Sequence, residues 1–283
     1  MLADNNYGKS GIRLVKLVRH PDRHEIRDWT VAVRFEGDFE AAHAAGDNAD
    51  VLPTDTMKNT VYALAADHPL DSIESFALHL SQHFLTENAN VVRVRIDISE
   101  RAWERLEVAG RPQGHAFSGA GEERATTRVE RDRSGARIDS GLEDLTILKS
   151  AGSGFSGFRR DRYTTLRETG DRIFATALKA VWQYVPSDLT FALLRRSIRQ
   201  TLLETFAEHE SVSVQHTLHA MGEAVLEQHP EVGQIRLSLP NKHHVPVDLT
   251  PFGLENRNEI FVATEEPYGL IEATLGRDHP TSR

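Results

Sequence analysis

The sequence predicts an α+β fold in which one unit of antiparallel strands and paired helices occurs twice. Segments with alternating apolar and polar residues, typical of half-buried strands, occur in both halves of the chain. Each half also has two segments with apolar residues at helical spacing. Both halves follow the order strand, strand, helix, helix, strand, strand, with little residue identity between them. We therefore expect tandem units at residues 1–138 and 139–283.

The first half begins with two strands and ends with several more. Alternation predicts these strands at residues 12–18, 29–35, 92–98, 103–108, 115–118 and 125–133. Gly119–Gly121 and Ser134-Gly135 are predicted turns between them. Residues 36–50 are acidic and rich in Ala and Gly, which predicts a loop or a bulged extension.

Two helices separate the strands of the first half. Apolar residues recur at i, i+4 and i+7 in Met57, Val61 and Leu64, after three residues that can cap a helix, Thr54, Asp55 and Thr56. The second helix is predicted from Asp71, with Glu74 three residues later as a capping box.

The second half repeats this order. Its strands are predicted at residues 142–149, 172–184, 235–239 and 259–263. Pro186, Ser187 and Asp188 open a helix through about Glu208, and Ser213 caps another through about Gln228. Open antiparallel sheets leave edge strands unpaired, so we expect an oligomer that covers them.

Composition narrows the possible functions. The 283 residues carry a net charge of −9, which argues against nucleic acid as the main partner. The chain has no cysteine, which excludes disulfides, Cys-ligated zinc, iron–sulfur clusters and a thiol nucleophile. Residues 1–9 are polar, and no run approaches the ~20 apolar residues of a membrane span. Because the final Thr281-Ser282-Arg283 is not a peroxisomal address, we expect a cytoplasmic protein.

The start of the first helix is a candidate binding site. The first N–H groups of a helix lack intrahelical partners and lie at the positive end of its dipole. Thr54 and Asp55 would therefore present a hydroxyl and free amides to an anionic or carbonyl-bearing ligand. An ordinary N-cap is the alternative.

The second half offers an aromatic ring and a guanidinium. Phe155, in Ser153-Gly154-Phe155-Ser156-Gly157-Phe158, could stack on a planar ligand or anchor its loop on its own domain. Arg172 offers a fork of donors suited to a planar anion, or could form an ion pair with Asp171 or Glu168.

A helix start in the second half is a further candidate. The backbone N–H of Val214 and the amide of Gln215 could pair with adjacent edges of a heterocycle, or simply form a helical turn. Lys9 could act as a base if desolvation deprotonated it, and would otherwise be a solvated lysine.

The histidines do not predict a metal site. His243 and His244 are adjacent on an extended segment and so point to opposite faces. His79 and His83 have i, i+4 ligand spacing on a helix, but they lack a nearby third ligand and the Glu of a zincin-type motif.

Taken in order, these motifs resemble the urate oxidase (uricase) family from residue 7 to about residue 275. The matching segments are Tyr7-Gly8-Lys9, Pro53-Thr54-Asp55 with Lys58-Asn59-Thr60, Gly157-Phe158 with Tyr163-Thr164-Thr165-Leu166 and Glu168-Thr169, Asp171-Arg172, Ser213-Val214-Gln215, and Leu239-Pro240-Asn241-Lys242-His243. Ser156 departs from the pattern, because some relatives carry a second aromatic residue there.

The resemblance implies two tandem tunnelling-fold (T-fold) units with helix pairs outside antiparallel sheets, stacked as a barrel in a homotetramer. It implies oxidation of urate by dioxygen and water to 5-hydroxyisourate and hydrogen peroxide, without a metal or organic cofactor. Lys9, Thr54 and His243 would form a proton relay.

The resemblance also implies the residues that bind substrate. Arg172 and Gln215 would grip the purine, and Phe155 would stack on it. Backbone N–H groups of Val214 and Asp55 would meet its carbonyls and ring nitrogen. Asn241, with Thr54, would hold dioxygen or water above the ring, and Thr54 and Asp55 would come from a neighbouring subunit.

Two other functions stay open at this point. One is a metal-dependent pterin or purine hydrolase of the same fold, like the pterin cyclohydrolases, although the cysteine ligands common there are missing. The other is a purine-binding scaffold without catalytic activity.

Overall fold

The structure is a computed structural model that describes residue 2 and residues 4–69, 71–185 and 189–277. Eight strands are hydrogen-bonded in chain order, and helices lie between the second and third and between the sixth and seventh. The predicted order of strands and helix pairs is therefore confirmed, with one short additional helix before the first pair. The strands are β1 (Tyr7–Arg19), β2 (His24–Gly37), β3 (Val91–Val108), β4 (Arg111–Asp132), β5 (Gly135–Lys149), β6 (Phe174–Tyr184), β7 (Val232–Pro246) and β8 (Phe261–Gly276). The helices are α1 (Glu40–Ala45), α2 (Thr54–Asp67), α3 (Ile73–Glu87), α4 (Phe191–Glu208) and α5 (Val214–Gln228).

The chain divides into two compact units. Unit 1 comprises Met1–Gly141 with Gln183–Arg195, and unit 2 comprises Leu142–Trp182 with Arg196–Arg283. The boundary between residues 138 and 139 stays a prediction. The predicted helix opening at Pro186, Ser187 and Asp188 lies outside the described residues, and α4 is described from Phe191.

In unit 1, β1 to β4 form an antiparallel meander, with α2 and α3 packed against it. The residues that alternate towards the helices are buried, as the period of two in the sequence predicts. The core they form is well packed and aromatic, and its largest members are Trp29, Phe35, Phe76, Phe84 and Met57.

Three predictions about local structure in unit 1 were wrong. Residues 36–50 include a helix, α1, since Phe39 is buried against Tyr7 and is followed by good helix formers. The strands predicted at 103–108, 115–118 and 125–133 belong to two long strands, β3 and β4. A turn at Ala109-Gly110 connects these two strands. Gly119–Gly121 therefore lies within β4, where Gly119 leaves room for the Arg101 side chain.

The start of α3 also differs from its prediction. Ser72 is the N-cap, and its hydroxyl accepts the N–H of Ser75. Glu74 does not complete a capping box, because its carboxylate is buried and bonds to Arg195 and to Ser140. Glu74 thus takes part in a long-range ion pair in place of the predicted capping box, and Ser72 alone provides the cap.

In unit 2, α5 packs against β7 and β8. Gly222 makes this approach possible, since a Cβ there would lie 2.8 Å from a methyl carbon of Leu275. Ser213 caps α5 as predicted, because its hydroxyl accepts the N–H of His216 at 3.1 Å. Among the described residues, no helix combines the length and the apolar composition needed to cross a membrane.

Candidate active site

The Tyr7-Gly8-Lys9 motif is held against the segment that leads into α2. The Tyr7 hydroxyl accepts the N–H of Leu52 at 3.0 Å, and burial raises the Tyr7 pKa. Gly8 is required here because a Cβ would lie 1.9 Å from the Val33 carbonyl oxygen. Lys9 then pairs with Val33 just before an irregularity in the strand, and its side chain is half-buried.

Helix α2 lies alongside β1 and is anchored at both ends. Tyr7 holds its entry, and the Lys16 ammonium donates to the carbonyls of Ala65, Ala66 and His68 at 2.7–2.9 Å. A cation at the carboxyl end of a helix satisfies unpaired carbonyls and complements the dipole. These two contacts fix where the amino end of α2 lies relative to Lys9.

Thr54 is the first residue of α2 and not its cap. Pro53 occupies the N-cap position, and no side chain caps the helix. The Asp55 carboxylate accepts from the side chains of Lys58 and Asn59 on its own helix. The hydrogen bond from Lys58 is the main cause of a lowered Asp55 pKa, and the nearby charge of Lys9 adds to it. The amino end of α2 is thus left open, with Lys9 close by.

In unit 2, the Phe155 ring contacts both an aromatic ring and a cation. Phe158 stacks on it with ring centres 4.9 Å apart and planes 13° from parallel, so a planar ligand would have to use the other face. The guanidinium carbon of Arg172 lies 5.3 Å from the Phe155 ring centre. Phe158 was quoted in the resemblance, but no role was predicted for it.

Arg172 does not form the ion pair that was its alternative interpretation. Glu168 lies 3.6 Å from Arg160, and the Asp171 carboxylate accepts the N–H of Ser153. In the part of the chain that the structure describes, Arg172 has no carboxylate partner. Burial lowers the Arg172 pKa, which leaves a guanidinium that gains from an anionic ligand.

Backbone bonds tie the Phe155 loop to the segment before α5. Gly154 donates its N–H to the Ser211 carbonyl at 2.7 Å, and Ser211 donates to the Gly152 carbonyl at 2.9 Å. Phe155 and Thr169 exchange two backbone bonds at 2.8 and 3.1 Å. The same loop therefore connects to the segment that carries Arg172, just before β6, and to the turn that carries Gln215.

Val214 and Gln215 open α5 as predicted. Val214 is buried, whereas the Gln215 side chain is exposed and can reach a ligand. Because Ser213 caps the N–H of His216, the N–H groups of Val214 and Gln215 lie at the positive end of the helix.

Asn241 and His243 lie on β7, next to an irregularity in its pairing with β8. Asn241 is opposite Gly269, which has no side chain to fill the space beside it, and His243 is opposite Thr264. The His244 ring bonds to the Lys242 carbonyl at 3.2 Å, whereas the His243 ring has no hydrogen bond within the described residues.

Each unit thus groups its own predicted residues. Unit 1 brings together Lys9, Thr54 and Asp55, and unit 2 joins Phe155, Arg172 and the Val214–Gln215 turn through one loop. Asn241 and His243 lie close together on β7 of unit 2.

The histidines do not form a metal site. His79 lies against the ring of His68, and the described residues contain no group of three or more His, Cys, Asp or Glu arranged to hold a metal ion.

Comparison with known proteins identifies the family. The family model described as Uricase matches residues 5–130 and 138–272. The uricase of Arthrobacter globiformis is 48% identical over 99% of this chain and 93% of its own length. The chain belongs to the uricase family. The uricase of Dictyostelium discoideum is 38% identical over 98% of both proteins.

Solved structures agree with this family and with the fold. The crystal structure of Arthrobacter globiformis uricase is similar with a TM-score of 0.94 at 48% identity, covering 99% of this chain and 98% of that one. A Bacillus urate oxidase at 23% identity has a TM-score of 0.85 over 96% of this chain, which supports the fold alone.

Proposed function

We propose that the chain is a urate oxidase that converts urate, dioxygen and water to 5-hydroxyisourate and hydrogen peroxide. The observation that carries this proposal is the half-buried Arg172 beside the Phe155 ring, without a carboxylate partner among the described residues, in a member of the uricase family. Urate is a planar anion, so it matches both a stacking ring and a guanidinium fork.

Binding would use both sides of the purine. Arg172 and the Gln215 amide hold the polar edges, and Phe155 stacks on the ring through the face that Phe158 leaves uncovered. The N–H groups of Val214 and Asp55, both near helix starts, meet the carbonyls and a ring nitrogen. Because Arg172 supplies the charge, an acidic protein can still bind an anion.

The chemical step would depend on proton movement. Lys9 and the Thr54 hydroxyl take a proton from bound urate, with His243 as the third member of the relay. The electron-rich dianion gives one electron to dioxygen. Transfer of a single electron avoids the spin mismatch between triplet dioxygen and the singlet purine. A second electron and two protons complete hydrogen peroxide, and water adds to the oxidised purine. Asn241 and Thr54 hold dioxygen or water above the ring.

The complete site would be shared between subunits of a homotetramer. In this arrangement, Thr54 and Asp55 of one subunit face the Arg172 pocket of its neighbour. The observation that favours sharing is the open amino end of α2, which presents Thr54 and Asp55 without a capping side chain.

A single assay tests the activity. Purified protein should remove the ultraviolet absorbance of urate and form one peroxide per urate consumed, with the same rate after chelation and dialysis. Loss of activity on chelation would favour the metal-dependent hydrolase. Binding of urate without peroxide would favour the scaffold.

A further inference from the structure

Two histidines outside the predicted site join the end of α4 to the start of α5. The Nε2 atom of His209 lies 3.1 Å from the Nδ1 atom of His216, with ring centres 4.4 Å apart at 63°. His209 follows directly after α4, and His216 lies in the first turn of α5, one residue after Gln215.

We propose that the hydrogen bond between His209 and His216 is a positioning contact that holds the Val214–Gln215 turn for urate binding, and that it opens when both rings are protonated. The inference rests on the proposed function, since it assigns a position to the residues that would grip urate.

The His216 side of the contact is fixed to the turn that binds. The His216 backbone N–H donates to the Ser213 hydroxyl, and this is the capping bond of α5. His216 therefore carries both the capping donor and the ring that contacts His209, and Val214 and Gln215 lie between the two capping residues. Misplacing a binding group by a small distance has a large effect on affinity and rate.

The His209 side is fixed to the rest of unit 2. Its N–H donates to the Thr205 carbonyl at 3.0 Å, and its carbonyl accepts from the Lys149 ammonium. Lys149 leads from β5 into the loop that carries Phe155. The pair thus links the Gln215 turn to the same framework that positions the stacking ring.

The chemistry of imidazole makes this contact sensitive to pH. When both rings are neutral, or when only one of them is a cation, one of the two facing nitrogens donates and the other accepts. When both rings are protonated, both facing nitrogens carry hydrogen and both rings are cations. The hydrogen bond is then lost and the rings repel. Burial lowers the His209 pKa, and the charges of His216 and Lys149 lower it further.

Charged groups on the neighbouring elements bear on this titration. Lys149 on β5 faces His209 directly, while Glu210 and Asp171 act on Lys149. Glu204 and Glu208 of α4 line a cavity of about 330 Å³ with His209. Gln228 of α5 lines the same cavity, so these carboxylates and α5 border one space beside His209.

Urate binding measured without dioxygen tests the proposal, because no turnover occurs. His216→Phe keeps a ring but loses the bond, and we expect its Kd for urate at pH 8 to rise about fivefold, as for one lost hydrogen bond. His216→Asn places an amide atom near the Nδ1 position and does not titrate. It should keep wild-type affinity at pH 8 and bind more tightly than wild type at the lowest pH at which both proteins stay folded, where both rings are most fully protonated.

A matched control is available on the same helix. His219 is exposed and pairs with Glu223 at 3.0 Å, so His219→Asn should follow the wild type at both pH values. The variants are compared at the same pH, so the titration of urate and of the relay residues affects all of them equally. Equal affinities of wild type, His216→Phe and His216→Asn at both pH values would overturn the positioning role.

The outcomes separate this inference from the function itself. If the wild type does not bind urate at pH 8, the proposed function fails. If the wild type binds and oxidises urate while His216 substitutions change nothing, only the inference fails. Should His216→Phe not fold, the comparison of His216→Asn with wild type at the lowest pH at which both stay folded still decides.

Discussion

The guanidinium carbon of Arg172 lies 5.3 Å from the centre of the Phe155 ring, with no carboxylate partner among the described residues. A cation left unpaired and half-buried is costly unless a ligand compensates for it. The aromatic ring beside it selects for a ligand that is flat. Under the proposed function, this pairing would give an acidic chain a local site for a purine anion.

Arg172→Ala should raise the KM for urate by about 10- to 100-fold, since a hydrogen bond to a charged group contributes about 1.5–3 kcal/mol. Steady-state kinetics measure the change. Arg160→Ala is the control, because Arg160 is exposed and pairs with Glu168, and its KM should match wild type. An unchanged KM in Arg172→Ala would exclude the role of Arg172 in gripping urate.

Lys9→Met and Thr54→Ala should each lower kcat by about 100-fold, as expected for loss of a proton-transfer partner. Circular dichroism and thermal melting should show that the fold is retained. Thr60→Ala is a control on the same helix, since it removes a hydroxyl that bonds to the Thr56 carbonyl and leaves the Thr54 hydroxyl in place. Near wild-type turnover in both Lys9→Met and Thr54→Ala would exclude the proposed proton relay.

Mixing two inactive variants tests whether sites are shared between subunits. Co-expressed Thr54→Ala and Arg172→Ala chains should recover about a quarter of wild-type activity, because random mixing restores that share of two-subunit sites. Arg172→Ala mixed with Gln215→Ala should recover nothing, since both changes damage the same half. The absence of recovery in the first mixture, despite confirmed mixed oligomers, would mean that each site belongs to one chain.

The free energy of unfolding should fall as pH drops below about 6.5, the ordinary pKa of histidine. Burial lowers the pKa of His68, His209 and His229 in the folded chain. Between the ordinary and the lowered values, the unfolded chain binds protons that the folded chain does not, so acid favours unfolding. Urea titrations from pH 8 to pH 5.5 measure this, and stability that is constant or increases towards pH 5.5 would contradict it.

Arg195→Met should destabilise unit 1 by about 3–5 kcal/mol, because it leaves two carboxylates without their cation. The Arg195 guanidinium lies 3.0 Å from both carboxylate oxygens of Glu74 and 3.1 Å from Glu100, and the Glu74 side chain is 0% exposed. Chemical denaturation gives the difference. Arg137→Met removes the cation of a pair with Asp139 in which the Arg137 side chain is 52% exposed, and it should cost less than about 1 kcal/mol. Equal losses in the two variants would argue against a buried network.

Local signals in the sequence were sufficient for much of this protein. Strand alternation and helical spacing predicted the order of elements in both halves, since each pattern reflects which side of an element is buried. Ser213 was correctly predicted as the cap of α5, because a cap depends on residues only three apart. The ordered motifs were enough to predict the family.

Contacts between distant residues decided the rest. Glu74 has the spacing of a capping residue, yet Arg195 lies 121 positions away in sequence and takes its carboxylate. Gly119 has the composition of a turn, yet pairing with β3 keeps it in a strand. Whether Arg172 would pair with a neighbouring carboxylate depended on partners for Asp171 and Glu168 that only the fold supplies. Spacing along the chain determines local hydrogen bonds, whereas competition for buried charges and open strand positions is settled by which distant groups the folded chain brings together.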